Sequence, residues 1–236
     1  MLLLFPLKHA ASASVACTQG IGTIFFEGKV DMLRATKNAA WERTQQNALI
    51  CYGDQVHVHR DSRASIRLAN DITLRLDGRT TLEFPGPEIS NVLQSLKLHQ
   101  GAVYAISQKS KQYEVEVEKY AKLRIKGTEF FIGVDEKTNS TKIVLYEGNM
   151  SISNDFGDDL SLDHYGDNAI VQMGQRPERQ ETIVRPIDSV QWALYYPAII
   201  SFSRNNSSQN KFKDDAQLEI AEQFLSVGRV DEANDT

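Results

Sequence analysis

The chain has 236 residues, enough for one or two domains, and is 41% hydrophobic and 24% charged. That composition builds a core and is not that of a disordered tail. Lys+Arg 26 against Asp+Glu 31 leaves a net charge of −5, which argues against the basic face of a nucleic-acid binder. No window reaches the roughly 20 apolar residues of a membrane-crossing helix. Two cysteines are too few for a disulfide-framework miniprotein.

The chain opens with a short apolar run, Leu2-Leu3-Leu4-Phe5-Pro6-Leu7, and then small residues from Ala11 to Ala16. This is the apolar and cleavage-site half of a secretory signal without its basic start, so residues 1–16 read as a degenerate or partial signal segment. Export to the periplasm or beyond is the expectation. Cys17 follows directly, but Ser14 stands where a lipid-modification site wants an aliphatic side chain. In an oxidising compartment Cys17 is expected to pair with Cys51. Closing that loop would contribute about 3–4 kcal/mol.

From Gly22 to about Met173 the apolar residues repeat every second position. Val56 and Val58 alternate with His57 and His59. Ala64, Ile66 and Leu68 alternate with Ser65 and Arg67. Ile72, Leu74 and Leu76 alternate with Thr73 and Arg75, and Tyr113, Val115 and Val117 with Glu114, Glu116 and Glu118. Such runs predict half-buried antiparallel strands. Turn residues separate them at Gly28, Gly53-Asp54, Asn70-Asp71, Asp77-Gly78, Gly101, Gly148, Gly157 and Gly166-Asp167. The class is therefore all-β, a sandwich, barrel, roll or solenoid, with no βαβ architecture.

After Arg185 the period changes. Val190, Ala193 and Leu194 share one helical face, Asp188 or Ser189 is the expected N-cap, and Pro197 ends a short helix at 188–196. Trp192, Tyr195 and Tyr196 make this the most aromatic window. They are expected either to pack on the β domain or to bind a partner. The polar stretch 201–209 reads as a linker. Over 213–236, Ala221, Phe224 and Leu225 fall at helical spacing before Gly228, an amphipathic helix that needs a surface to cover its apolar face.

Chemistry-bearing constellations are sparse. His57 and His59 share a strand face, with Asp54 and Asp61 nearby, but two imidazoles without a third ligand read as a solvated face and not a metal site. There is no Gly-x-Ser-x-Gly elbow, no glycine-rich phosphate loop and no acid–base pair justified by spacing. No catalytic residue, metal or cofactor is expected. Glu114, Glu116 and Glu118, near Lys109 and Lys111, read first as a charged edge that discourages aggregation, second as a docking strip.

Several ordered motifs carry a family resemblance. They are Gly53-Asp54-Gln55-Val56, Ser62-Arg63-Ala64 with Ile66 and Leu68, Thr73-Leu74-Arg75-Leu76, Thr81-Leu82, Gln100-Gly101-Ala102-Val103, Gly127-Thr128-Glu129-Phe130 and Tyr146-Glu147-Gly148-Asn149-Met150. Together they resemble the FecR-domain family over 22–174. The stretch from Val190 to Pro197 is similar to the segment that joins this domain to tetratricopeptide repeats in a subgroup, and Ala221 to Ala233 resembles the start of one such repeat, truncated here. The best-known members regulate an extracytoplasmic sigma factor with a cytoplasmic helical segment and one membrane span. Neither is seen in this sequence, so anti-sigma activity is not carried over.

The resemblance implies an antiparallel, roll- or solenoid-like β sandwich with a short helical C-terminal extension. It also implies a non-enzymatic periplasmic scaffold that binds a protein of the cell envelope. An envelope glycan is the alternative ligand. Gly53, Asp54, Gly101, Gly127, Thr128, Phe130 and Gly148 are the expected fold-defining residues. Gly127 is expected to supply a positive φ or a close approach, Thr128 to bond its own turn, and Gly148 to close a tight hairpin. Trp192, Tyr195, Tyr196, Phe224 and Leu225 are the candidate partner contacts.

Overall fold

The computed structural model describes residues 20–36, 39–86, 94–157, 159–181 and 186–194. The signal segment, Cys17, Tyr195, Tyr196, the linker, and the 213–236 helix with Phe224 and Leu225 lie outside the described residues.

Strands follow one another along the chain as the alternation requires. They are β1 (Gly22–Glu27), β2 (Val30–Leu33), β3 (Trp41–Arg43), β4 (Ala48–Ile50), β5 (Gln55–Val58), β6 (Arg63–Leu68), β7 (Ile72–Leu76), β8 (Thr81–Glu83) and β9 (Gln94–Gln100). The longer β10 (Ala102–Val117), β11 (Ala121–Asp135) and β12 (Ser140–Ser153) come next, then β13 (Leu160–Leu162), β14 (Asn168–Gln172) and β15 (Glu178–Arg179). A 3-10 turn, Pro186–Val190, runs into the short helix α1, Gln191–Leu194. We call 186–194 the strap.

The long strands β10, β11 and β12 form an antiparallel meander, and the sheet branches at β10. Its first half, Val103–Ser107, pairs with β7 and so leads to β6, β1 and β4. Its second half, Tyr113–Val117, pairs with β9 and leads to β8, β5, β2 and β3. A register irregularity between Ile106 and Lys111 separates the halves and gives the strand room to serve two neighbours. Both branches feed one core. Ile24, Ile66 and Leu74 from one and Val56, Leu82 and Leu98 from the other belong to the same buried cluster. Each such side chain contributes about 1.5–3 kcal/mol on burial.

All-β is the observed class, but the antiparallel expectation needs one correction: β9 and β10 run parallel. Side-chain alternation has the same period in either direction, so it carries no information about strand polarity.

Gly148 acts differently from the expectation, and of the two roles expected for Gly127 the structure shows the close approach. Gly148 closes no hairpin; it lies inside β12, opposite Gly127 of β11. Gly127 has no positive φ. It is needed because a Cβ there would stand 2.2 Å from the Glu147 carbonyl oxygen. Gly148 has φ +116°, and its Cβ would stand 2.3 Å from the Lys126 carbonyl oxygen. The pair lets two backbones approach at a bulge, where the register slips on either side of Glu129.

The strap departs from the predicted helix at its start. Pro186 begins a 3-10 turn, as its fixed φ allows, and the α-helix begins only at Gln191. Asp188 accepts a bond from the Gln191 side chain.

Candidate functional site

One half of the meander is buried on both faces. Val103, Ala105, Phe130, Ile132, Ile143 and Leu145 point into the main core. Their alternate neighbours Tyr104, Phe131, Val144 and Tyr146 form a second cluster with Val190 and Ala193 of the strap. Ile106, Ile187 and Trp192 pack against it half-buried. The strap supplies the cover that an exposed apolar sheet face requires.

A polar group sits inside this cover. Arg75 of β7 is paired in register with Tyr104 of β10, so the two project to one side. Arg75 is almost fully buried, which corrects the wet face expected for Thr73 and Arg75. Its Nη1 donates to the Ala193 carbonyl of the strap at 2.6 Å. Glu129 of β11 is also buried, and its Oε1 accepts a hydrogen bond from the Tyr104 hydroxyl. The Tyr146 hydroxyl donates to the Pro186 carbonyl at 2.9 Å. Lys142 Nζ donates to Ser189 Oγ at 3.0 Å. Tyr104 and Tyr146 meet edge to face at 5.9 Å, and Tyr146 meets the exposed Tyr165 at 6.2 Å.

These contacts shape the electrostatics. Burial, reinforced by the charge of Glu147, pushes the Glu129 carboxyl up to about 7, against the opposing effects of the Tyr104 bond and the Arg75 charge. Burial and the nearby Glu129 hold the Tyr104 phenol well above its ordinary range. Burial and Glu129 also raise Tyr146 and Tyr165. The arrangement is a dry carboxyl that changes charge near neutral pH, bonded to a phenol that stays protonated.

The residues singled out from sequence lie elsewhere, and most serve the fold. Gly53 adopts φ +84° in the turn before β5. Asp54 beside it is buried and accepts bonds from Arg34 Nη1 (2.7 Å), Cys51 N–H (2.8 Å) and Ala35 N–H (3.3 Å). Gly101 makes the β9–β10 turn at φ +82°. Thr128 does not bond its own turn; its hydroxyl donates to Glu147 Oε2 at 2.6 Å. Phe130 is buried edge to face against Tyr113. Cys51 is half-buried and carries no free thiol.

Trp192 is half-buried against the second cluster and donates its Nε1–H to Ser189 O. It therefore packs on the domain. His57 and His59 stack edge to face at 4.7 Å, but they bond Thr81 and Asp31 respectively. Glu116 pairs with Lys97, and Glu118 with His99. These glutamates are not on an edge, because β9 and β11 flank that half of β10. Asp163, His164 and Asp167 bring ligand atoms together, yet Asp167 is already bound by Arg179 at 2.8 Å.

Sequence reasoning missed Arg75, Tyr104, Glu129 and Tyr146 as a group. A signal was present. Ala102 to Ile106, Phe130 to Ile132 and Ile143 to Tyr146 are unbroken apolar runs, the pattern of strands covered on both faces.

No helix among the described residues is long and apolar enough to cross a membrane. No curated protein matches the sequence. Two crystal structures of a proposed anti-sigma factor from Parabacteroides distasonis ATCC 8503 resemble the chain. One is 12% identical with a TM-score of 0.49, covering 60% of this chain and 65% of that one. The other is 13% identical with a TM-score of 0.46, covering 59% and 72%. The chain thus spans somewhat less than two thirds of the first structure's length. The family model described as FecR protein matches residues 54–151, from the buried Asp54 turn through the branched meander to the end of the Gly127–Gly148 bulge. Over these residues the chain matches the FecR family.

Proposed function

We propose that this protein is an exported, periplasmic FecR-domain scaffold that acts in signalling by binding another cell-envelope protein, without catalysis. The observation that carries the reading is the FecR match at 54–151, on a continuous β scaffold whose motif residues hold turns, bulges and core. Asp54, Gly101, Gly127 and Phe130 are all spent on the fold. What remains for recognition is the exposed surface and the chain that follows the strap. Phe224 and Leu225 are the proposed partner contacts, with Tyr195 and Tyr196 beside the strap. Cys17 and Cys51 are the proposed disulfide.

A glycan platform would need coplanar exposed aromatics. Among the described residues Trp41, Tyr52, Phe156 and Tyr165 are exposed, and the ring contacts made by two of them, Trp41 with His57 and Tyr165 with Tyr146, are edge to face. The protein-partner reading is therefore preferred.

The test is cross-linking of the full chain in its native envelope. One envelope protein should be captured reproducibly and lost in Leu225→Asp, while that variant keeps wild-type melting. An unchanged capture profile removes the helix from the proposal. Non-reducing mass spectrometry of the same exported material should show Cys17 joined to Cys51, and two free thiols would refute both the bridge and the oxidising compartment.

A further inference from the structure

The strap closes over the second cluster through polar anchors and an apolar seam. Arg75 holds Ala193 O, Tyr146 holds Pro186 O, and Lys142 holds Ser189 Oγ. Val190 and Ala193 lie in the cluster with Tyr104, Phe131 and Val144. Beneath this cover Glu129 takes its bond from the Tyr104 hydroxyl, and Tyr104 is fully buried. The groups that face the carboxyl are Tyr104 from β10, Arg75 from β7, Glu147 and Tyr146 from β12, and Tyr165 from the turn before β14. On the strap, Asp188 adds its charge against Tyr146.

We propose that the strap is a proton-operated latch, closed while Glu129 is a neutral acid bonded to Tyr104 and released when that carboxyl ionises beneath it. In this dry site the Tyr104 bond and the Arg75 charge favour the carboxylate, but its lost hydration and the like charge of Glu147 outweigh them, so the neutral acid is the form preferred under the closed strap. Opening the strap returns water to Tyr104 and Glu129 together. The proton therefore binds the closed form more tightly than the open one, which is the differential affinity that any switch needs.

The size of the effect follows from linkage. The closed carboxyl titrates at about 7, against an ordinary value of 4.5 when open to water. Closure then weakens by up to about 30-fold between roughly pH 5.5 and pH 8.5. Release would free the attachment point of the residues that follow 194, which the proposed interaction role places next to the partner. The latch itself does not depend on that role.

The full chain carrying Trp41→Phe keeps Trp192, on the strap, as its single tryptophan. Acrylamide quenching of Trp192 and amide exchange of 186–194, corrected for intrinsic rates, should both report opening that rises with pH around a midpoint near 7. Amides of Ile132 and Ile143 in the core should keep their protection. Adding Glu129→Gln should leave the strap closed and flat across the range. A pH-independent strap in the parent, a midpoint that Glu129→Gln leaves unchanged, or simultaneous loss of core protection would each overturn the proposal. Tyr146→Phe removes the Pro186 anchor and leaves Glu129 in place. It should increase opening at both ends of the pH range without moving the midpoint, and no increase would likewise overturn the latch.

Discussion

Replacing Asp54 tests what the Gly-Asp element of this domain does. Its buried carboxylate ties the turn before β5 to the chain leaving β2. Oδ2 accepts from both Cys51 N–H and Arg34 Nη1, and Oδ1 accepts the longer bond from Ala35 N–H. A hydrogen bond to a charged group contributes about 1.5–3 kcal/mol, and an orphaned part-buried N–H costs about 1–3. The Arg34 side chain is 39% exposed, so its share is discounted for solvent screening. Asp54→Ala should therefore destabilise by about 3–4 kcal/mol, with the Cys51 amide as the main loser.

Asp54→Asn separates geometry from charge. Its amide can turn so that Oδ1 faces Cys51 and Arg34. The amide nitrogen then replaces only the weak acceptor opposite Ala35. The expected cost is about 1–1.5 kcal/mol. Urea unfolding at neutral pH under non-reducing conditions gives both values. The alanine variant should also melt about 10 °C lower. An alanine variant within about 0.5 kcal/mol of wild type, or an asparagine variant as unstable as alanine, would refute the reasoning.

The other expectations follow from single contacts. Gly127→Ala and Gly148→Ala each place a Cβ against the opposing backbone, so each should cost about 2–4 kcal/mol in urea unfolding; wild-type curves would show that the strands can part freely. Glu129 has a folded value above its unfolded one. Its stabilising contribution is complete below about pH 4.5 and is lost as pH rises through 7. The ceiling of that loss is about 3 kcal/mol. Glu129→Gln should flatten the slope of unfolding free energy across that window, and an identical slope would assign it to another group. Asp167 has the opposite sign. Burial works against its charge, but the Asp163 N–H, Arg179 and the His164 N–H outweigh burial and bring its carboxyl down to about 2. Its contribution above pH 4, about 1–2 kcal/mol once the half-exposed Arg179 is discounted for solvent screening, should disappear as pH falls through 2. Asp167→Asn should make acid unfolding shallower there, and an unaltered acid limb would contradict the assignment.

Local pattern was enough wherever one face of a strand is wet. Val56 and Val58 of β5, or Ala64, Ile66 and Leu68 of β6, are buried as their alternation requires. Pattern failed where a distant segment decides the other face. Thr73 and Arg75 look alike as polar alternates, yet Arg75 is buried because the strap, far along the chain, lies over it. The parallel pairing of β9 with β10 was equally hidden. It depends on which part of a long strand each neighbour meets, and β10 meets two. Gly127 could be recognised from sequence as a constrained position. Whether the constraint is dihedral or steric needed the carbonyl of Glu147 opposite it.

Glu129 was the residue most easily overlooked, because within the Gly127–Phe130 motif it looks like a solvent-facing spacer. Its position poses a physical problem that stability alone does not answer. The strap already has an apolar seam of Val190 and Ala193 against Tyr104, Phe131 and Val144. An apolar side chain of similar volume at 129 would extend that seam. It would carry no penalty at high pH, although the Tyr104 hydroxyl would then need another acceptor. In either charge state the acid accepts from Tyr104, but ionised it weakens the very cover that buries it, and protonated it lets Arg75 and Tyr146 hold the strap. A group whose contribution is lost near neutral pH is a poor cement and a good trigger. In a scaffold whose other motif residues serve turns and core, the second face of the meander is where charge state and chain position are coupled.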